Sequence, residues 1–180
     1  MYSEKRAHLK DASGESIESF LKSIDEGIEY YEYLIRVISD SMDPLKEDCL
    51  YPLFIHLGDL EEDVKKLKAL SPNLPVRQVR GNCDFGSDLP LTGEFTAQGV
   101  KIFYTHGHYY GVKSGLYTFA CAARERGAQV ALYGHTHNAL EDYDDGLYLL
   151  NPGSLNSWEA TYGTVDITPQ GIVTNIVKLP

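Results

Sequence analysis

The sequence predicts an α/β fold in one domain, and three observations carry that prediction. Short β-type runs alternate with segments of helical period through the middle of the chain, the pattern of strands joined by crossover helices and paired in parallel. A ligand-type residue, often behind a glycine, follows each of the first five runs, and in such sheets ligands gather at the carboxyl ends of strands. The chain has 180 residues, 43% apolar and 23% charged, enough for a core that withdraws roughly 70% of the unfolded surface from water.

Taken in order, residues 1–14 are polar and end in Ser13-Gly14, a tail or cap with little to bury. Ile17, Phe20, Leu21, Ile24, Ile28 and Tyr31 then recur at steps of three and four. Their spacing predicts an amphipathic helix over 15–31, with Glu18, Lys22, Asp25, Glu26 and Glu29 facing water. Five runs rich in Val, Ile, Leu, Tyr and Phe follow, at 34–38, 53–57, 76–79, 100–104 and 130–133, and each has the length and composition of a strand.

Helices are expected at 61–70, on Val64, Leu67 and Leu70, and at 113–126, on Leu116, Phe119, Ala120 and Ala123. Gly127 stands where the second helix should stop. Beyond them, 146–150, 162–165 and 172–179 are short β-type runs between turn residues, which predicts a second, more antiparallel region. The acidic run Glu141-Asp142-Tyr143-Asp144-Asp145 ahead of Gly146 reads as a solvated hairpin turn. No internal repeat, linker or low-complexity segment is visible, so residues 1–180 are expected to form a single domain with a polar tail at 1–14.

Composition narrows the function. The apolar stretches at 130–133 and 147–150 are far shorter than the ~20 residues of a membrane span. The opening MYSEKRAHLK lacks the apolar core of an export signal. Cys49, Cys83 and Cys121 are odd in number and without metal-like spacing, which suits reduced thiols in a cytoplasm. Sixteen basic against twenty-six acidic residues give a net charge of −10, which disfavours attraction to nucleic acid or anionic lipid. A small anionic substrate stays open, because bound divalent cations invert the local field.

The residues that follow the first five runs are Asp40, Asp59, Asn82, His106, and His135 with His137. Carboxylates, an amide oxygen and imidazoles form a mixed oxygen and nitrogen donor set, suited to Mn, Fe, Ni, Co or Zn rather than to the all-oxygen cages of Ca or Mg. Gly134-His135-Thr136-His137 is the most specific feature, since imidazoles two residues apart after a tight turn reach neighbouring positions around one or two ions. Gly58-Asp59 alone is ordinary turn chemistry, and Gly81-Asn82-Cys83-Asp84 alone reads equally as an Asx-type turn. Recurrence after separate strands, with Thr105-His106-Gly107-His108 as a further instance, favours one shared site.

This order of motifs, closed by Asn151-Pro152-Gly153-Ser154, resembles the calcineurin-like metallophosphoesterase superfamily from about residue 53 onward, in the manner of its small stand-alone bacterial and archaeal phosphodiesterases. The resemblance implies a four-layer α-β-β-α sandwich with two facing mixed sheets and two divalent metal ions on their loops. Manganese is the metal expected, with Ni, Fe, Co or Zn as alternatives. Asp59 would bridge both ions, Asn82, His106 and His135 would hold one, and His137 with Asp40 the other. A hydroxide between the ions would attack a small phosphorylated substrate, so that Asp59 and Asn82 serve catalysis as well as metal binding.

Four points bear on this expectation. Asp40-Ser41-Met42 stands where the family has Asp-x-His, and a thioether gives little to a hard or borderline ion. Asp11-Ala12-Ser13-Gly14 is the competing first motif, disfavoured because residues 1–10 make a poor strand. Only nine residues separate Ser41 from Tyr51, near the minimum for a parallel crossover. Cys83 replaces a histidine that in several relatives protonates the leaving group, so either a good leaving group is preferred or His108 or solvent supplies the proton.

His56 reads as a satisfied residue that packs or supports the ligands from behind rather than as a ligand, and Tyr30, Tyr31, Tyr33, Tyr109 and Tyr110 as half-buried packing in preference to the lining of a substrate cleft. The competing functional reading is a scaffold of the same fold that binds one ion or none and acts through protein partners, as the retromer subunit of this superfamily does. A homo-oligomer is compatible with either reading.

Overall fold

The computed structural model describes residues 34–39, 53–70, 72, 75–155, 157 and 159–179. The tail, the helix expected at 15–31, Asp11, Asp40 and Met42 lie outside them. The strands are β1 (Leu34–Ser39), β2 (Leu53–His56), β3 (Val76–Gln78), β4 (Thr92–Ala97), β5 (Val100–Thr105), β6 (Val130–Tyr133), β7 (Leu140–Asp144), β8 (Leu147–Asn151), β9 (Thr161–Thr168) and β10 (Gly171–Lys178). Two α-helices, α1 (Glu61–Leu70) and α2 (Tyr117–Glu125), and a 3-10 turn at His108–Tyr110 complete the described elements.

The strands form two five-stranded mixed sheets, in the orders β10-β9-β1-β2-β3 and β4-β5-β6-β8-β7. Alternation along each strand sends one set of side chains between them. Ile55, Leu57, Val79, Val165 and Ile167 from the first sheet meet Val100, Ile102, Tyr104, Val130, Leu132 and Leu150 from the second in one buried layer. On the far side of the second sheet, Phe103, Ala131, Tyr133, Leu147 and Leu149 receive Phe119, Ala120 and Ala123 of α2. The connection β2-α1-β3 joins parallel strands. With the inner face filled by the other sheet, its helix covers the outer face, burying Val64 and Leu67. This is the expected four-layer α-β-β-α sandwich. The Thr174 hydroxyl donates to Glu141, tying edge strand β10 to edge strand β7.

Several expectations need correction. β1 runs antiparallel to β2, with Leu34 beside His56 and Val37 beside Leu53, and parallel to β9. The parallel crossover from β1 to β2 is therefore absent, and β1 ends where β2 begins. The acidic run at 141–145 is not merely a turn: Leu140–Asp144 forms β7, fully exposed because it pairs with β8 alone at the sheet edge. Only Asp145 and Gly146 make the turn, both at positive φ. β4, unread in the sequence, is a second edge strand, antiparallel to β5. α2 begins at Tyr117 rather than 113, because Gly111 and Gly115 take φ of 62° and 152° and break the helical path. The late region contains two antiparallel hairpins, β7-β8 and β9-β10, although β8 also joins β6, and β9 joins β1, in parallel. Among the described residues no helix is long and apolar enough to cross a membrane.

Candidate functional site

The site is built on four turns that leave β2, β3, β5 and β6. After β2 the chain turns through Gly58, Asp59 and Leu60 at φ of 95°, 61° and 57°. Left-handed conformation costs a non-glycine residue roughly 1–2 kcal/mol, so this run has to be held from outside. The turn after β3 holds it. A Cβ on Gly58 would lie 2.6 Å from the Gly81 nitrogen, so the two glycine backbones pack in direct contact.

Asp84 accepts the backbone N–H groups of Asp59 (2.9 Å), Gly81 (2.7 Å) and Glu61 (3.1 Å). In return the Cys83 N–H donates to Asp59 Oδ1 at 2.8 Å, which fixes the carboxylate rotamer. Asp84 is the residue that the sequence reading passed over. Its only local signal is its place at the end of Gly81-Asn82-Cys83-Asp84, and two of its three partners lie 23 and 25 residues earlier. A local Asx-type turn is therefore not the purpose of that quartet.

His106, which directly follows β5, is fully buried. Its Nδ1 lies 2.8 Å from the Leu57 carbonyl oxygen, which can only accept, so Nδ1 carries the proton. Burial lowers its pKa to about 4 against the opposing pull of Asp59, and the ring is neutral at pH 7. Nε2 therefore presents a lone pair. Facing it are Asn82 Oδ1 at 3.0 Å, His135 Nδ1 at 3.1 Å and Asp59 Oδ2 at 3.4 Å.

Two of these three neighbours are oxygens that cannot donate to it, so the cluster is a convergence of acceptors, which a cation would reconcile. Counting His, Cys, Asp and Glu alone, no group of three among the described residues encloses a common point. The convergence is centred on His106 Nε2 and needs the Asn82 amide as a member.

His135 follows β6 in a turn at φ 67°. Asn151, fully buried at the end of β8, governs that turn: its Nδ2 donates to the Gly134 carbonyl at 3.1 Å and to Thr136 Oγ1 at 2.9 Å, while its Oδ1 accepts from the Gly153 N–H at 3.0 Å. The Gly134 N–H donates to the His106 carbonyl at 3.1 Å, linking the β5 and β6 turns. This gives Asn151-Pro152-Gly153-Ser154 a physical task, since Asn151 aims His135.

The remaining expected residues fall at the rim or outside. The His108 ring centroid lies 5.2 Å from His106 and 6.0 Å from His135, making a cluster of three imidazoles. Burial lowers the pKa of both His108 and His135; the charge of Arg80 adds to this at His108, and that of Lys113 at His135. His137 is exposed at φ 59°. Cys83 is exposed, and the Asn82 amide donates to its sulfur at 3.3 Å. Asp40 lies outside the described residues, and β1, the strand before it, ends beside the start of β2, whereas Asp59 follows the end of β2. Tyr110 packs edge-on to Phe103, as expected of half-buried packing, whereas Tyr109 is 68% exposed and tilts over His108 at 4.6 Å.

His56 overturns its expectation of being satisfied. It is 1% exposed, and neither ring nitrogen has a hydrogen-bond partner. Burial lowers its pKa to about 4, opposed by the charge of Asp84. Beside it in the β2–β3 register stands Gln78, whose Nε2 is also unpartnered.

Residues 36–170 match the model of the calcineurin-like phosphoesterase superfamily domain, and the chain belongs to that family. It is 40% identical over 104 residues to a probable metallophosphoesterase, YsnB, of Bacillus subtilis, covering 57% of this chain and 59% of that one. It is 34% identical over 79 residues to vacuolar protein sorting-associated protein 29 of Schizosaccharomyces pombe, covering 44% of this chain and 42% of that one. The chain thus spans about half the length of these relatives. In fold it is similar to an archaeal phosphodiesterase of solved structure, at TM-score 0.57 and 22% identity over 81% of this chain and 99% of that one.

Proposed function

We propose that this protein is a metal-dependent phosphoesterase that hydrolyses a small phosphate ester, and that Asp59, Asn82, His106 and His135 hold its principal ion. The observation that carries this reading is the His106 imidazole, whose carbonyl-bound Nδ1 leaves Nε2 as an acceptor that faces the Asn82 and Asp59 oxygens and the His135 ring. The mixed donor set suits Mn, Ni, Fe, Co or Zn, and of these manganese is the one the family resemblance implies. Divalent ions bound there would supply Lewis acidity, lowering the pKa of water and neutralising charge on the phosphoryl oxygens.

The chain's own residues do the rest. Asp59 keeps Oδ2 toward His106, because Oδ1 is engaged by the Cys83 N–H. Arg80 and Lys113 carry positive charge close enough to bias His108 and His135, which favours an anionic ligand at a site on an otherwise acidic protein. His108 is held toward its neutral form and Cys83 is an exposed thiol, so neither is a strong proton donor at pH 7. An ester with a good leaving group is therefore the preferred substrate, with His108 or solvent delivering the proton.

A second ion would be held by Asp59, His137 and Asp40. His137 is on the surface, and β1 points its carboxyl end away from Asp59. That direction, together with Met42, favours a second reading: a scaffold with one ion or none that acts through protein contacts. Metal analysis separates the two. Two Mn²⁺ per chain, with Mn²⁺-stimulated cleavage of bis(p-nitrophenyl) phosphate reduced at least 100-fold by Asp59→Ala or His135→Ala, supports the enzyme. One ion or none, with no turnover in Mn, Ni, Co, Fe or Zn, supports the scaffold.

A further inference from the structure

We infer that Asp84 is a positioning residue for the metal centre: its carboxylate clamps the two ligand-bearing turns together and thereby sets ion affinity at Asp59 without touching ion or substrate. The inference rests on the proposed function for its metal half and on geometry alone for its clamp half.

The geometry has three parts. Asp84 Oδ2 accepts from the Asp59 and Gly81 amides and Oδ1 from the Glu61 amide, so one side chain spans the start of α1, the Asp59 turn and the Asn82 turn. The Asp59 carboxylate answers with a bond from the Cys83 amide, which makes the bracket reciprocal. The segment so held contains Asp59 and Leu60 at left-handed φ, a conformation that neither residue keeps by preference. A carboxylate is the side chain suited to the task, because both of its oxygens only accept and ionised acceptors bind amides more strongly than neutral ones. An amide at 84 would turn an NH₂ toward at least one backbone N–H.

The decisive comparison is Asp84→Asn against wild type, read by Mn²⁺ titration, by steady-state kinetics and by amide resonances of the metal-free protein. The expected result is a Kd for Mn²⁺ raised at least 10-fold, in keeping with losses seen when partners behind metal ligands are removed. At saturating Mn²⁺, kcat should return to within a few-fold of wild type, and the Asp59, Glu61 or Gly81 amide signals should move upfield. A merely structural role would lower the melting temperature while leaving metal affinity of the folded protein alone, and that outcome overturns the metal half. Amide signals that stay in place overturn the clamp itself. Wild-type protein that binds no Mn²⁺ overturns the proposed function and the metal half with it, while the amide shifts still decide the clamp. Should Asp84→Asn not fold, Asp84→Glu reads the same quantities: it keeps the charge but displaces the oxygens, and its Kd should rise as well.

Discussion

A single tautomer decides what His106 can be. The Leu57 carbonyl takes the Nδ1 proton, and the other nitrogen is left as a donor of electrons in a buried place. His106→Phe should therefore cost more than one proposed ligand. It also strands the buried Leu57 carbonyl without its donor, for a loss of about 1–3 kcal/mol. The check is a urea titration alongside Mn²⁺ binding, with both falling. Gly81 is the complementary case. A Cβ there would enter the space of the Asp59 carboxylate and amide, which are fixed by Cys83 and Asp84 and cannot swing aside. Gly81→Ala is expected to destabilise by about 2 kcal/mol, roughly 4–8 °C in melting temperature, and to weaken Mn²⁺ binding at least tenfold; calorimetry and metal titration read the two effects.

At the level of elements, the second sheet and its helix are a conventional core that can be tested separately from the site. Phe119 of α2 is fully buried, with ring centroids 5.8 Å from Phe103, 5.9 Å from Tyr110 and 5.1 Å from Tyr133. Phe119→Ala should cost about 3–5 kcal/mol, lowering the urea midpoint while leaving the Mn²⁺ affinity of the folded protein unchanged.

What was legible in the sequence follows the same division. The turns after β2, β3, β5 and β6 could be read because glycine and the candidate ligand residue are adjacent in sequence, and α1 because Val64 and Leu67 repeat at helical spacing. The direction of β1 could not, since pairing with β2 and β9 is decided by residues far along the chain, Gly163 to Ile167 among them. β7 hid behind its charges, because an edge strand exposed along its whole length carries no apolar alternation. Asp84 and Asn151 act through backbone groups of other turns, and such partnerships leave no trace in composition. His56 looked ordinary because burial without partners is a tertiary fact.

Over the whole molecule, the same burial that prepares the imidazoles makes the fold sensitive to acid. His56 and His106 have pKa values lowered to about 4, and His108 and His135 are lowered as well, with burial the leading cause in every case. In the unfolded chain each titrates near 6.5. The unfolded state therefore binds more protons than the folded state as pH falls from about 6.5 toward 4, and stability must drop through that window, by about 1.4 kcal/mol per pH unit for each fully buried histidine. Above pH 7.5 both states are neutral at these rings and the dependence vanishes; below 4 the two fully buried rings charge in both states and add no further slope. Urea unfolding in EDTA, which keeps metal linkage out of the measurement, should show a midpoint falling steeply from pH 6.5 to 4.5. His56→Leu removes one proton acceptor whose nitrogens lack partners, so it should flatten that slope and raise stability at pH 5 relative to wild type. A midpoint independent of pH over this range would mean that these rings take up protons within the fold as readily as in the unfolded chain, which their burial does not allow.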